Sequence, residues 1–147
     1  MSYKKHTKKN RNHKDSFKEE IVKMFLVLLN MVKLYHWKTC SYAAHKASDD
    51  LYDSLNKNID KFVEVLLGKL NGKRVNLTNE KTIPLIDFPN GPSFDEDMKT
   101  EIMKVKKYLI DLDNNSFLLE MSNSDLFNIR DEILGSLNQF LYLLSFK

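Results

Sequence analysis

The chain has 147 residues, 42% of them hydrophobic, enough to enclose one core and so one domain. Four Gly and three Pro are too few for a sandwich or barrel with turns at short intervals, and the abundance of Leu, Lys, Asp, Asn and Met points to an all-α fold. The single Cys40 has no internal disulfide partner, and no apolar run free of charge reaches the length of a signal or a membrane span, so a soluble protein in a reducing compartment is expected.

The net charge of +3 is unevenly spread. Lys4, Lys5, Lys8, Lys9, Arg11 and Lys14 crowd into the first 14 residues, which hold no acid, leaving 17 basic against 20 acidic groups in the rest, a body of −3. With Tyr3 as the sole aromatic there, residues 1–15 cannot offset the entropy of ordering and are expected to be a disordered basic tail. Such an arm holds DNA by its phosphates, displacing counterions, or serves only as a solubilising terminus.

Residues 16–147 divide into four helical stretches. The first starts at a capping-box pattern, Ser16 to Glu19, and carries Ile21, Phe25, Leu28, Val32 and Tyr35 at steps of three and four, with His36 on the inward face. A short turn around Thr39 to Tyr42 folds the second helix, about Ala43 to Leu70, antiparallel to the first. Its stripe is Leu51, Leu55, Ile59, Phe62 and Leu66, and it ends near Gly72.

From Asn71 to Pro92 the periodicity is lost among Gly72, Pro84, Pro89, Gly91 and Pro92. A connection of that length suits a ferritin-like four-helix bundle, in which a long crossover lets the third helix run parallel to the second. The third helix is read from a second capping-box pattern, Ser93 to Glu96, with Phe94, Met98, Ile102, Val105, Leu109 and Leu112 as its stripe. The fourth starts near Ser124 after a loop and buries Leu126, Ile133, Leu137, Phe140, Leu141 and Leu144.

Helix two carries the chemistry. His45 and Asp49 are four residues apart, as are Asp60 and Glu64, so each pair projects from adjacent turns of one face. The 11 residues between the pairs place them about 16 Å apart along the axis, beyond the reach of a single ion whose ligand bonds are about 2 Å long. If two copies of the helix pack antiparallel about a two-fold axis near Ser54 and Leu55, His45 and Asp49 of one chain meet Asp60 and Glu64 of the other, and two identical sites result. His36, beside the turn, adds a fifth donor. Nitrogen and oxygen donors in this mixture suit iron, manganese or zinc. A lone carboxylate pair on a helix is more often a solvated face, but no Lys or Arg interrupts the stripe at Tyr52, Asp53 and Asn56, although Lys46, Lys57 and Lys61 flank it.

His36-Trp37, then His45 and Asp49, then Asp60 and Glu64 resemble the ferroxidase motif of the Dps mini-ferritins, and Leu137 to Tyr142 resembles the end of their fourth helix. The resemblance spans residues 16 to 146, and the stretch Tyr35 to Gly68 is more similar still to uncharacterised Dps-like proteins of phages and large DNA viruses. It implies that His36, His45, Asp49, Asp60 and Glu64 bind iron, as a single ion or a di-iron centre, and oxidise it with peroxide or oxygen at a site shared by two subunits. In that family His45, Asp49, Asp60 and Glu64 would be the direct ligands, His36 an auxiliary one, and Trp37 a packing or electron-donating neighbour. A twelve-subunit cage storing ferric mineral, DNA held by Lys4, Lys5, Lys8, Lys9, Arg11 and Lys14, and a cytoplasmic, nucleoid or virion setting would follow. One departure stands out: nine positions separate His36 from His45, about three fewer than is general in the family. The competing expectation is a structural nucleoid- or virion-associated DNA-binding protein that keeps the bundle without oxidase activity.

Overall fold

The computed structural model describes residues 13–146. They form an all-helical molecule of four long helices, α1 (His13–Lys38), α2 (Tyr42–Lys69), α3 (Phe94–Asp111) and α5 (Ser124–Leu144), with a 3-10 turn at Leu112–Asn114 and a one-turn helix α4 (Ser116–Leu119) before α5. Among the described residues no helix is long and apolar enough to cross a membrane. The basic-tail candidates Lys4, Lys5, Lys8, Lys9 and Arg11 lie outside the described residues, and Lys14 falls in the first turn of α1.

The periodic stripes face inward. Ile21, Phe25, Leu28, Val32 and Tyr35 of α1 pack with Leu51, Leu55, Ile59, Phe62 and Leu66 of α2 and with Met98, Ile102 and Leu109 of α3 in one continuous core. From α5, Leu126, Ile133, Leu137, Phe140 and Leu144 are buried, whereas Leu141 and the Val105 of α3 are only partly covered. Burying each large apolar side chain contributes roughly 1.5–3 kcal/mol, so these stripes outweigh local preferences in deciding where the helices lie.

Helix ends depart from the sequence expectation. Ser16 sits inside α1, which opens three residues earlier at His13, so it is not a cap. Ser93 does flank α3 but makes no side-chain cap; its hydroxyl donates instead to Asp97 Oδ2 at 3.1 Å. Asp95, Glu96 and Asp97 in the first turn supply the negative charge that suits a helix N-terminus. A working cap is Ser41, whose hydroxyl accepts from Ala44 N–H at 3.2 Å and starts α2 after a turn of three residues.

The order of the helices follows from their contacts. Phe25 and Phe62 meet edge to face at 5.4 Å, and His36 meets His45, so α1 and α2 are antiparallel. Ser54 and Ser136 share a hydrogen bond of 2.6 Å while Ala47 and Leu51 border Phe140 and Leu143, which makes α5 antiparallel to α2. The connection after α2 lies along α1: Lys18 Nζ donates to Arg74 O, Lys23 pairs with Glu80, and Lys38 pairs with Asp87 and donates to Phe88 O. Tyr35 stacks on Phe94 with ring centres 4.9 Å apart, so α3 starts at the end of the molecule where α1 stops.

Candidate metal centre

The candidate donors gather where α1 turns into α2. His36, in the last turn of α1, is buried at 8% exposure, and His45, in the first turn of α2, is exposed. Their rings stack with centres 3.9 Å apart and planes inclined by 18°. His36 Nδ1 lies 2.9 Å from His45 O, and His45 Nδ1 lies 3.0 Å from His36 O. A carbonyl oxygen only accepts, so each ring carries a proton on Nδ1, and in the neutral imidazole Nε2 is then the free acceptor. That is the tautomer in which histidine binds a metal through Nε2, with the other nitrogen held by a backbone carbonyl.

Asp49 joins this pair, its Oδ1 4.0 Å from His36 Nε2. Two donors each about 2.1 Å from one ion at a tetrahedral angle sit about 3.4 Å apart, so a small rotation of the exposed Asp49 side chain brings both onto one ion. Asp60 and Glu64, three turns further along α2, are exposed and form no ion pair among the described residues. The structure therefore sets His36 against His45 and, on its other nitrogen, near Asp49, and leaves Asp60 and Glu64 apart from them. Among the described residues, no group of three or more His, Cys, Asp or Glu side chains in one chain is placed to hold a metal ion.

The face of α2 that a partner could share differs from the expectation in one detail. Ser54 is bonded to α5 and Leu55 is fully buried, so neither can face another chain. At 100° per residue, His45, Tyr52, Asn56 and Val63 lie within about 40° of one another, with Asp49 and Asp60 on one flank and Glu64 further round. The level along the helix is unchanged; the residues at the middle of the face are Tyr52 and Asn56. Beside it runs an apolar groove of about 230 Å³ between α1 and α2, lined by Leu26, Leu29, Ile59 and Val63 with Asn56 and Asp60 on its rim.

Two features escaped the reading of spacings. Lys33 Nζ lies 4.1 Å from the centre of the Tyr52 ring and 5.9 Å from that of Trp37, whose indole is 68% exposed. Ser48, fully buried, places its hydroxyl oxygen 3.0 Å from His36 Nδ1. The signal for Ser48 was its place with Ala44 and Ala47 among the small residues buried near the start of α2. Cys40, in the turn between the histidines, is a free, exposed thiol.

Neither a curated protein nor a solved structure gives a significant match to the chain. Residues 36–144 match a protein family, a segment that opens at His36 and contains His45, Asp49, Asp60 and Glu64. That match covers about three quarters of the sequence, and the chain belongs to DUF5856, a family of unknown function.

Proposed function

We propose that this chain is a Dps-like mini-ferritin that binds Fe(II) at a site shared by two subunits, oxidises it and stores the product. The carrying observation is the histidine pair: both rings are fixed with Nδ1–H on a backbone carbonyl and Nε2 available, next to the Asp49 carboxylate. A ferritin-like topology is supported by the connection that lies along α1 and by α3 starting beside the end of α1, which sets α3 parallel to α2. Asp60, on the flank of the same face, and Glu64, further round, are exposed and are the carboxylates that a second subunit would bring to His45 and Asp49.

In this reading iron is the substrate. Two Fe(II) ions each give one electron to a peroxide, whose O–O bond breaks, and two protons complete two molecules of water. Carboxylates from the partner offset the added charge of Fe(III), which then takes hydroxide from water and deposits as mineral. The basic residues Lys4, Lys5, Lys8, Lys9, Arg11 and Lys14 would hold DNA without sequence preference.

The test separates the two halves of the site. One variant carries His45→Ala with Asp49→Ala, the other Asp60→Ala with Glu64→Ala, and each alone should lose Fe(II) oxidation. Co-expressed, they form mixed dimers in which one of the two sites is intact, so activity should partly return. A site built within one subunit cannot be rescued in this way, and no recovery in verified mixed oligomers would refute the shared site.

A second reading is favoured by one observation: the same two Nδ1 bonds tie the last turn of α1 to the first turn of α2, and the one from His45 serves a terminal carbonyl of α1, which gives the histidines a structural purpose without metal. On that reading the protein is a structural DNA-binding component. It retains DNA through residues 1–14, shows no saturable Fe(II) uptake, and loses thermal stability when His36 or His45 is replaced by Ala.

A further inference from the structure

We propose that Ser48 is a positioning residue of the histidine pair: its hydroxyl accepts from His36 Nδ1–H and keeps that ring from turning over, which holds Nε2 toward Asp49. The metal role of this contact rests on the function proposed above; the orientation of the ring does not.

Ser48 is completely buried and its oxygen makes three contacts. It lies 2.8 Å from Ala44 O, 3.0 Å from His45 O and 3.0 Å from His36 Nδ1. The hydroxyl has one proton, and both carbonyls can only accept, so the proton goes to them and the lone pairs are left for the imidazole N–H. His36 Nδ1–H is then shared between His45 O and Ser48 Oγ.

A ring turned over by 180° would exchange Nδ1 with a carbon, aim C–H at both oxygens and carry Nε2 away from Asp49. That costs a buried and a part-buried hydrogen bond where Ser48 is present, and the part-buried one alone where it is not. Among the described residues His45 has no such second acceptor: its Nδ1 meets His36 O alone, and the residue is exposed. Ser48 therefore acts on His36 selectively, and His45 serves as an internal control.

The test begins without metal, by ¹H–¹⁵N NMR of the histidine side chains in the full-length wild type, Ser48→Ala and Ser48→Thr. In the wild type both rings should show the Nδ1–H tautomer, with the His36 Nδ1 proton exchanging slowly. Ser48→Ala should speed exchange of that proton roughly fivefold to tenfold and leave His45 unchanged, and Ser48→Thr, which keeps the hydroxyl, should restore slow exchange. A wild-type His36 protonated on Nε2 alone overturns the proposal, as does unchanged exchange in Ser48→Ala.

The same proteins are then titrated with Co²⁺, a spectroscopic stand-in for Fe(II). Affinity should fall about tenfold in Ser48→Ala and recover in Ser48→Thr. Altered exchange with unaltered Co²⁺ affinity overturns the role of Ser48 in metal binding. Altered exchange with no Co²⁺ binding by any of the three proteins supports Ser48 as the residue that orients His36, while sinking the metal-binding function itself.

Discussion

Tyr35 ties the ends of three helices together through one phenol. Its ring is buried between Phe94 and Phe140, and its hydroxyl donates to Asp95 Oδ1 at 2.7 Å. Burial first, and then the hydrogen bond to Asp95 and its negative charge, push the phenol far above its ordinary value near 10. Tyr108 is pushed in the same direction by burial and by the charge of Glu20. A raised folded-state pKa contributes stability that is fully present below the unfolded value and is lost as pH rises toward the folded one. Stability measured by urea denaturation should thus be level near neutral pH and fall above about pH 10. Tyr35→Phe should cost about 1 kcal/mol at pH 7 and flatten part of the alkaline decline, the rest belonging to Tyr108. An unchanged alkaline slope in Tyr35→Phe would show that this phenol is not the group involved. At the same scale, spacing told which donors could meet but not how their protons lie. The tautomer of His36 depends on the three-residue turn and on Ser48, and neither belongs to a recognisable motif.

Among the helices, the end of α2 shows how backbone conformation is written into particular residues. Asn71 adopts φ 58° and Gly72 φ 74°, and Gly72 N–H returns to Leu67 O at 2.9 Å, closing the helix in a Schellman-type cap. A left-handed conformation strains most side chains, Asn less than others and Gly hardly at all. Asn71→Gly should therefore stabilise the protein by about 0.5 kcal/mol and Asn71→Val destabilise it by about 1–2 kcal/mol, as read from denaturation midpoints. The reverse order would mean that the cap contributes nothing. The four long helices were legible because burial of Leu55, Phe62, Ile102 or Leu137 dominates their placement and leaves a period of three to four residues in the sequence. Their starts were less so. Ser-x-x-Glu occurs at Ser16 and at Ser93, but the first lies within a helix already begun and the second spends its hydroxyl on Asp97. The single turn α4 was read as loop because it is too short to show any period, although Phe117 and Leu118 anchor it in the core and Asn115 caps it by accepting from Leu118 N–H.

At the level of the whole molecule, the proposed shared site depends on the exposed side of α1 and α2. That side presents Trp37 and Leu26 to solvent, an apolar groove, and carboxylates at Asp60 and Glu64 that are unpaired among the described residues. Light scattering at micromolar concentration should give a mass well above that of the 17.3 kDa chain, and near twelve times it if a cage forms. A monomer would remove the basis for a shared site. Replacing Leu26 by Glu, on the groove but not itself a candidate ligand, should shift the mass distribution toward smaller species without unfolding the helices.

The connection between α2 and α3 leads to a different kind of consequence. It is fastened to the outside of α1 by Lys18, Lys23 and Lys38, holds no helix, and buries Phe88 as its anchor. The principal grip between the two halves of the chain is elsewhere, in α2 against α5. Covalent continuity and mechanical integrity are thus carried by separate parts of the protein. A single protease cut at the exposed Lys81 would yield two polypeptides, one carrying α1 and the donor helix α2 and the other holding α3 to α5, that stay clasped as one particle with the paired histidines intact on the first.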